Sequence, residues 1–352
     1  MKTGRTLREL AIELERQNTA KRDLVVDTSI LTMQPDMMLT VDKSGSGHNE
    51  ILGIGDIAHR QIGTHTSVPA KYYEKMRTEA PGLLATNVNH WFGQNPTRRM
   101  VRTMDGRARA FLSDRYRRID NQEIAEAVLP IIGEMDGAQI MSCELTESKM
   151  YLKVVNPRLE TEIQKGDIVQ SGIVISNSEV GHGAVAVFPL VYRLVCSNGM
   201  IAADAGQRKY HVGRTFEADD NYEVFKNDTM EADDKAFMLK LRDIVRAATD
   251  EARFQKIVGR MRDATEAKII GDDIPKVVEL ASKEYGINQS ESNGVLRHLI
   301  EGGDLSLFGI SSAVTRHSQD VESYDRATDL EIIGWNLLGM TAAMWHRINT
   351  QA

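Results

Sequence analysis

The chain of 352 residues predicts an α+β fold: an antiparallel sheet with packed helices, followed by a mainly helical C-terminal region. Three observations carry this expectation. Short alternating segments separated by polar or glycine-containing turns fill Ala138 to Tyr210. An Asp-Gly pair divides two alternating runs between Met100 and Leu112, the pattern of a two-residue hairpin. From Asp228 onward, apolar residues recur at helical spacing in almost every segment.

The first helix is expected over Thr3 to Ala20, where Leu7, Leu10, Ala11 and Leu14 make one stripe. Met37 to Val41 reads as a short strand. Ser44 to Glu50 reads as a hairpin turn, because its glycines lack the Gly-Lys-Ser/Thr ending of a phosphate loop. Short helices follow at Asp56 to Gly63, at the segment opened by Pro69, and at Leu83 to Phe92. His48, His59, His65 and His90 show no i, i+4 pair, so surface or packing roles are expected for them.

Next comes the hairpin. Strict alternation places Arg107, Arg109 and Phe111 on one face and Ala108, Ala110 and Leu112 on the other. Asp120 or Asn121 is suited to cap a following helix whose stripe is Ile124, Ala127, Val128 and Ile131. Strands are expected at Ile140 to Leu145, Met150 to Val155, Ile168 to Ser176, Ala184 to Val195 and Met200 to Ala203, forming one sheet with the hairpin and covered by helices on one face. Helical segments span Lys235 to Ile270, Ile274 to Tyr285, Ser290 to Ile300 and Ala327 to Ile348. Three regions result: 1–97, mixed helix and strand; 98–216, the α+β core; and 217–352, helical, with the boundary in the acidic stretch Glu217 to Asp228.

Composition narrows function. Hydrophobic residues make up 41% of the chain, without an apolar run of membrane-spanning length or a secretory signal at the N-terminus, so a cytoplasmic protein is expected. Cys143 and Cys196 have no metal-ligand spacing and read as buried thiols. The formal net charge is -7, yet eight arginines fall between Arg98 and Arg118 against Asp105 and Asp114 alone. Guanidinium forks match phosphate oxygens, so a local arginine patch on an acidic protein points to an anionic partner, nucleic acid first. Arginines on a sheet face also pair with neighbouring acids, and that alternative stays open.

Arg107, Arg109, Arg115, Arg117 and Arg118 are the candidate phosphate contacts, with Tyr116 stacking on bases. Arg208, Lys209, Tyr210 and Arg214 form a second basic and aromatic cluster, equally readable as a solvated strand edge, and Arg193 is added to the same surface. A polar enzyme site at Asn177, Ser178, His182, Arg193 and Asn198 is a weaker reading. Its rival gives Asn198-Gly199 to a turn and Arg193 to a structural ion pair. The segment around Gly286 fits a plain helical hairpin better than a helix-turn-helix. No catalytic residue, metal constellation or cofactor is assigned.

The segments FLSDRYRRIDNQEI (Phe111 to Ile124), FPLVYRLVCSNGM (Phe188 to Met200), SAVTRHSQDVESYDRATDLEIIGWNLL (Ser312 to Leu338) and VPAKYYEKM (Val68 to Met76) resemble the phage and plasmid family catalogued as domain of unknown function 932. The late segment departs from the family pattern at Ser311-Ser312, where an asparagine is expected. The resemblance implies a mobile-element origin in a bacterial host and no settled reaction. Joined to the basic hairpin, it supports the expectation of a DNA-binding accessory protein in recombination or single-strand annealing. That protein would prefer single strands, assemble as a homo-oligomer and need no nucleotide hydrolysis. The alternative is an interaction protein that binds or inhibits a host protein.

Overall fold

A computed structural model describes residues 1–43, 49–209, 227–247 and 250–351. Tyr210 and Arg214 of the second basic cluster, most of the turn at Ser44 to Glu50, and nearly all of the acidic boundary stretch lie outside the described residues.

The chain opens with α1 (Leu7–Ala20), started by a capping box in which Thr6 accepts from the Glu9 backbone and Glu9 accepts from Thr6. Then come β1 (Lys21–Asp27), β2 (Leu31–Met33), β3 (Met38–Val41) and β4 (Glu50–Ile54). Three helices follow: α2 (Asp56–His65), α3 (Ala70–Glu79) and α4 (Pro81–Gln94). The arginine hairpin is β5 (Arg98–Met104) and β6 (Arg107–Ser113), with Asp105 at φ 53° and Gly106 at φ 73°, the left-handed pair that a tight hairpin turn needs. Strand order in this first sheet is β1-β5-β6-β4-β3-β2, with β4 and β6 parallel.

After α5 (Asn121–Glu134), a second sheet is built from β7 (Gln139–Leu145), β8 (Met150–Glu162), β9 (Ile168–Asn177), β10 (Val185–Arg193) and β11 (Asn198–Ile201). Its order is β11-β10-β9-β8-β7, and β12 (Gln207–Lys209) pairs with the first part of β10. The helical region comprises α6 (Asn227–Ala247), α7 (Glu251–Glu266), α8 (Ile274–Glu284), α9 (Gln289–Gly302), α10 (Leu307–His317), α11 (Tyr324–Leu337) and α12 (Ala342–Gln351).

The α+β class holds, but the expected single sheet is two. The hairpin pairs with β1 and β4, not with the strands after Ala138, so residues 98–113 are tied to the N-terminal strands across the expected boundary at 98. Period-2 alternation identifies a strand but is silent on its partner, and β1 was hidden by the charges of KRDLVVD. Helices also cover both faces of the second sheet. Leu152, Val154, Ile173, Ile175, Val185 and Val187 pack with α1, α5 and α6 residues. Val155, Val174, Phe188 and Leu190 face the other way, beside Ile332 of α11. A strand buried on both sides loses the polar half of its alternation, which explains the nearly continuous apolar runs of β9 and β10.

Candidate functional site

The hairpin does not display its arginines in strict alternation. Arg102 pairs with Ala110 and Thr103 with Ala108, so Arg109 is the extra residue of a β-bulge. The phase reverses there: Ala108 joins Phe111 in the core under α2 to α4, whereas Ala110 and Leu112 pack with Met100 and Val180 on the opposite side. The expected grouping of Arg107 and Arg109 with Phe111 is thereby corrected. The bulge aims Arg109 at Glu179, which follows β9.

An ionic network occupies this side of the first sheet. Arg102, 2% exposed, donates through Nε to Asp23 at 2.8 Å, through one terminal nitrogen to Asp120 at 2.8 Å and through the other to the Glu179 carbonyl at 3.0 Å. Lys21 reaches Asp120 at 2.8 Å and Glu179 at 3.5 Å. Arg109 meets Glu179 at 3.1 Å and Arg118 meets Asp23 at 3.3 Å, while the backbone N–H of Asn121 donates to Glu179 at 2.8 Å. Burial would raise the Asp120 carboxyl, but Arg102 and Lys21 outweigh it and hold that pKa below the ordinary value. Asp120 is also the N-cap of α5, with Glu123 accepting from its backbone N–H at 3.1 Å. One acid thus fixes the helix start and the hairpin together.

The sequence-derived residues consequently divide. Arg109, Arg117 and Arg118 are ion-paired to Glu179, Asp233 and Asp23. The Tyr116 hydroxyl donates to the Ser178 carbonyl at 3.0 Å, and burial pushes its pKa up. Arg107 and Arg115, with Arg98, are exposed and form no ion pair among the described residues. Arg208 lies over the Phe188 ring at 4.9 Å, and the backbone of Lys209 pairs in β12.

Arg193 pairs with Asp167 at 2.6 Å and covers Phe308, as the ion-pair reading expected. Asn198 lies opposite it on β11, but Asn177, Ser178 and His182 sit at the far end of β10, so these five residues do not converge.

Sequence reasoning missed a buried polar junction between the second sheet and α11. Lys153 and Glu331, both 0% exposed, pair at 2.6 Å, and the ammonium lies 4.7 Å from the centroid of the Tyr324 ring. Nearby, the Asn198 side-chain amide donates to Thr315 at 2.5 Å and to the Ser312 carbonyl at 3.3 Å. The Oε1 of Glu331, Oδ1 of Asn198 and hydroxyls of Ser312 and Thr328 have no hydrogen-bond partner among the described residues. The available signal was a lysine in mid-strand, in MYLKVV, and the polar positions of the late segment. Beside this junction, Arg193, Cys196, Arg316 and His298 line a cleft of about 300 Å³. At one side of it the donor atoms of His298, His317 and Asp320 lie within 4.8 Å of one another.

No helix among the described residues is long and apolar enough to cross a membrane. Comparison with curated proteins and with solved structures finds no match. A family profile described as domain of unknown function (DUF932) matches residues 110–305, from the bulged strand of the hairpin to the residues just before α10. That span includes Asp120, Glu179 and the Phe188 to Met200 segment, and covers more than half of the sequence. The chain belongs to the DUF932 family.

Proposed function

We propose that this chain is a DNA-binding accessory protein of a phage or other mobile element, acting on single strands in recombination or annealing without nucleotide hydrolysis. Its setting is the bacterial cytoplasm and its working form a homo-oligomer. The observation that carries the reading is the division within the arginine run. Arg102, Arg109, Arg117 and Arg118 are paired to the protein's own acids, whereas Arg98, Arg107 and Arg115 stand exposed without an ion pair among the described residues.

Arg107 begins β6, and Arg98 and Arg115 lie near its far end, where Arg99 pairs with Ser113. Seven residues of strand separate the two ends by roughly 20 Å, long enough to touch several phosphates of one backbone. A guanidinium without a protein counter-ion keeps its attraction for phosphate, and the internally paired hairpin fixes the backbone that carries it, so that only side-chain freedom is lost on binding.

A mobility-shift titration with single- and double-stranded DNA across salt, with mass measured on the same sample, tests the proposal. Tighter, salt-dependent binding to single strands by an oligomer supports it. Absent or salt-insensitive binding overturns it in favour of an interaction protein whose arginines engage an acidic host or phage protein.

A further inference from the structure

Three side chains with metal-ligand chemistry meet at one end of the C-terminal helices. His298 lies on α9, His317 ends α10, and Asp320 follows three residues later. His298 Nε2 is 2.6 Å, and His317 Nδ1 3.4 Å, from the same oxygen, Asp320 Oδ2. They come from the late segment that the arginine surface leaves unexplained and from a helix 14 residues long that precedes it.

Several features separate this group from an ordinary surface ion pair. The imidazoles are 7% and 12% exposed. His317 Nδ1 has no hydrogen-bond partner among the described residues, because its contact with Asp320 lacks hydrogen-bond geometry. Its ring is wedged over Gly294, where a Cβ would sit 2.3 Å from Cε1, so the backbone itself limits where the ring goes. The second nitrogen of His298, Nδ1, is 3.0 Å from the Glu301 carboxylate. A metal on Nε2 requires the tautomer whose proton sits on Nδ1, where Glu301 accepts it, the usual outer-shell arrangement of a metal-bound imidazole.

We propose that His298 Nε2, His317 Nδ1 and Asp320 Oδ2 bind one first-row divalent metal ion, Zn²⁺ in the first instance. Two imidazoles and one carboxylate suit zinc or iron(II) and leave coordination positions open. Bonds of 2.0–2.1 Å in a tetrahedral site need donors about 3.3 Å apart, so closure requires side-chain movement of roughly 1 Å. Two cations oppose the ion. Arg297 lies 2.8 Å from Asp320 Oδ2 and 3.2 Å from His298 Nε2, and Arg316 lies 3.8 Å from Asp320 Oδ1. The Arg297 side chain is 59% exposed and is displaced into water when the metal takes its donors. His298 and Arg316 also line the cleft of about 300 Å³, which gives solvent and small anions access to the ion.

The full chain, stripped with chelator, is titrated with ZnCl₂ by calorimetry, and bound metal is counted by elemental analysis. The expected result is one zinc per chain, with affinity falling at least tenfold in His317→Gln and in Asp320→Asn. Arg297→Ala, which removes the competing guanidinium, tightens binding several-fold. A purely structural ion-pair cluster predicts no zinc uptake and no gain from Arg297→Ala. Substoichiometric uptake by the parent, or equal affinity in the parent and Asp320→Asn, overturns the proposal. Circular dichroism checks each variant; if His317→Gln does not fold, the more exposed Asp320→Asn decides alone.

Discussion

Replacing Arg102 by alanine should cost about 3–5 kcal/mol of folding stability, the range for stripping one partner from a buried ionic group. The residue is 2% exposed and makes three close charge-assisted contacts, to Asp23, Asp120 and the Glu179 carbonyl. Contacts of this kind are worth about 1.5–3 kcal/mol net apiece, so three of them set an upper limit of about 9 kcal/mol. The loss falls below that limit because Lys21 still neutralises Asp120 and Arg118 still reaches Asp23. Relief of the guanidinium's own desolvation lowers it further. Against a typical stability of about 5–15 kcal/mol, such a change is large. Urea denaturation at neutral pH, followed by tryptophan fluorescence and far-ultraviolet circular dichroism, reads it as a fall in the midpoint. Arg115→Ala, at an exposed site without an ion pair, should stay within about 0.5 kcal/mol of the parent. Equal midpoints for the Arg102 and Arg115 variants would refute the division of the arginine run into scaffold and surface.

Two further outcomes follow from the interior. Lys153→Met alone should destabilise by about 3–5 kcal/mol because Glu331 is left buried and unpaired, whereas Lys153→Met with Glu331→Leu should recover most of that loss in the same denaturation assay. His59, 2% exposed and 3.0 Å from the Tyr73 hydroxyl, has its pKa lowered to about 4, by burial first and then by Arg77. As pH falls below about 6.5 the unfolded chain protonates this histidine before the folded chain does. Its contribution is therefore complete above that value and lost as pH falls towards 4, about 3 kcal/mol in all. His59→Gln should flatten the stability profile between pH 7 and pH 4 by that order, and an unchanged profile would contradict the assignment.

Local chemistry was legible in the sequence to the extent that neighbours along the chain determine it. Asp105-Gly106 specified the hairpin turn, the Asp120-Asn121 pair the start of α5, which Asp120 caps, and the C-terminal periodicity most of the helices. Three things were not. The partner of β5 lies more than 70 residues upstream on a strand masked by charge, and alternation carries no such information. A bulge at Arg109 inserts one residue and reverses every face assignment on one side of it. Asp23, Asp120 and Glu179 converge from β1, the approach to α5 and the turn after β9, so the neutralisation of the arginines was visible only in three dimensions. For the same reason Lys153 and Glu331, 178 positions apart, gave no sign of being a pair.

In the proposed function the arginine run is partly a buried ionic scaffold and partly a phosphate-binding surface. The most direct test is the salt dependence of single-stranded DNA affinity for the parent and for a variant carrying Arg98→Ala, Arg107→Ala and Arg115→Ala. Each phosphate contact contributes about 0.7 to the slope of log K against log salt on single strands, so losing three should flatten the slope by about 2. That flattening is expected together with an unchanged urea midpoint for the variant. Parallel slopes, or no binding by the parent at low salt, would contradict it.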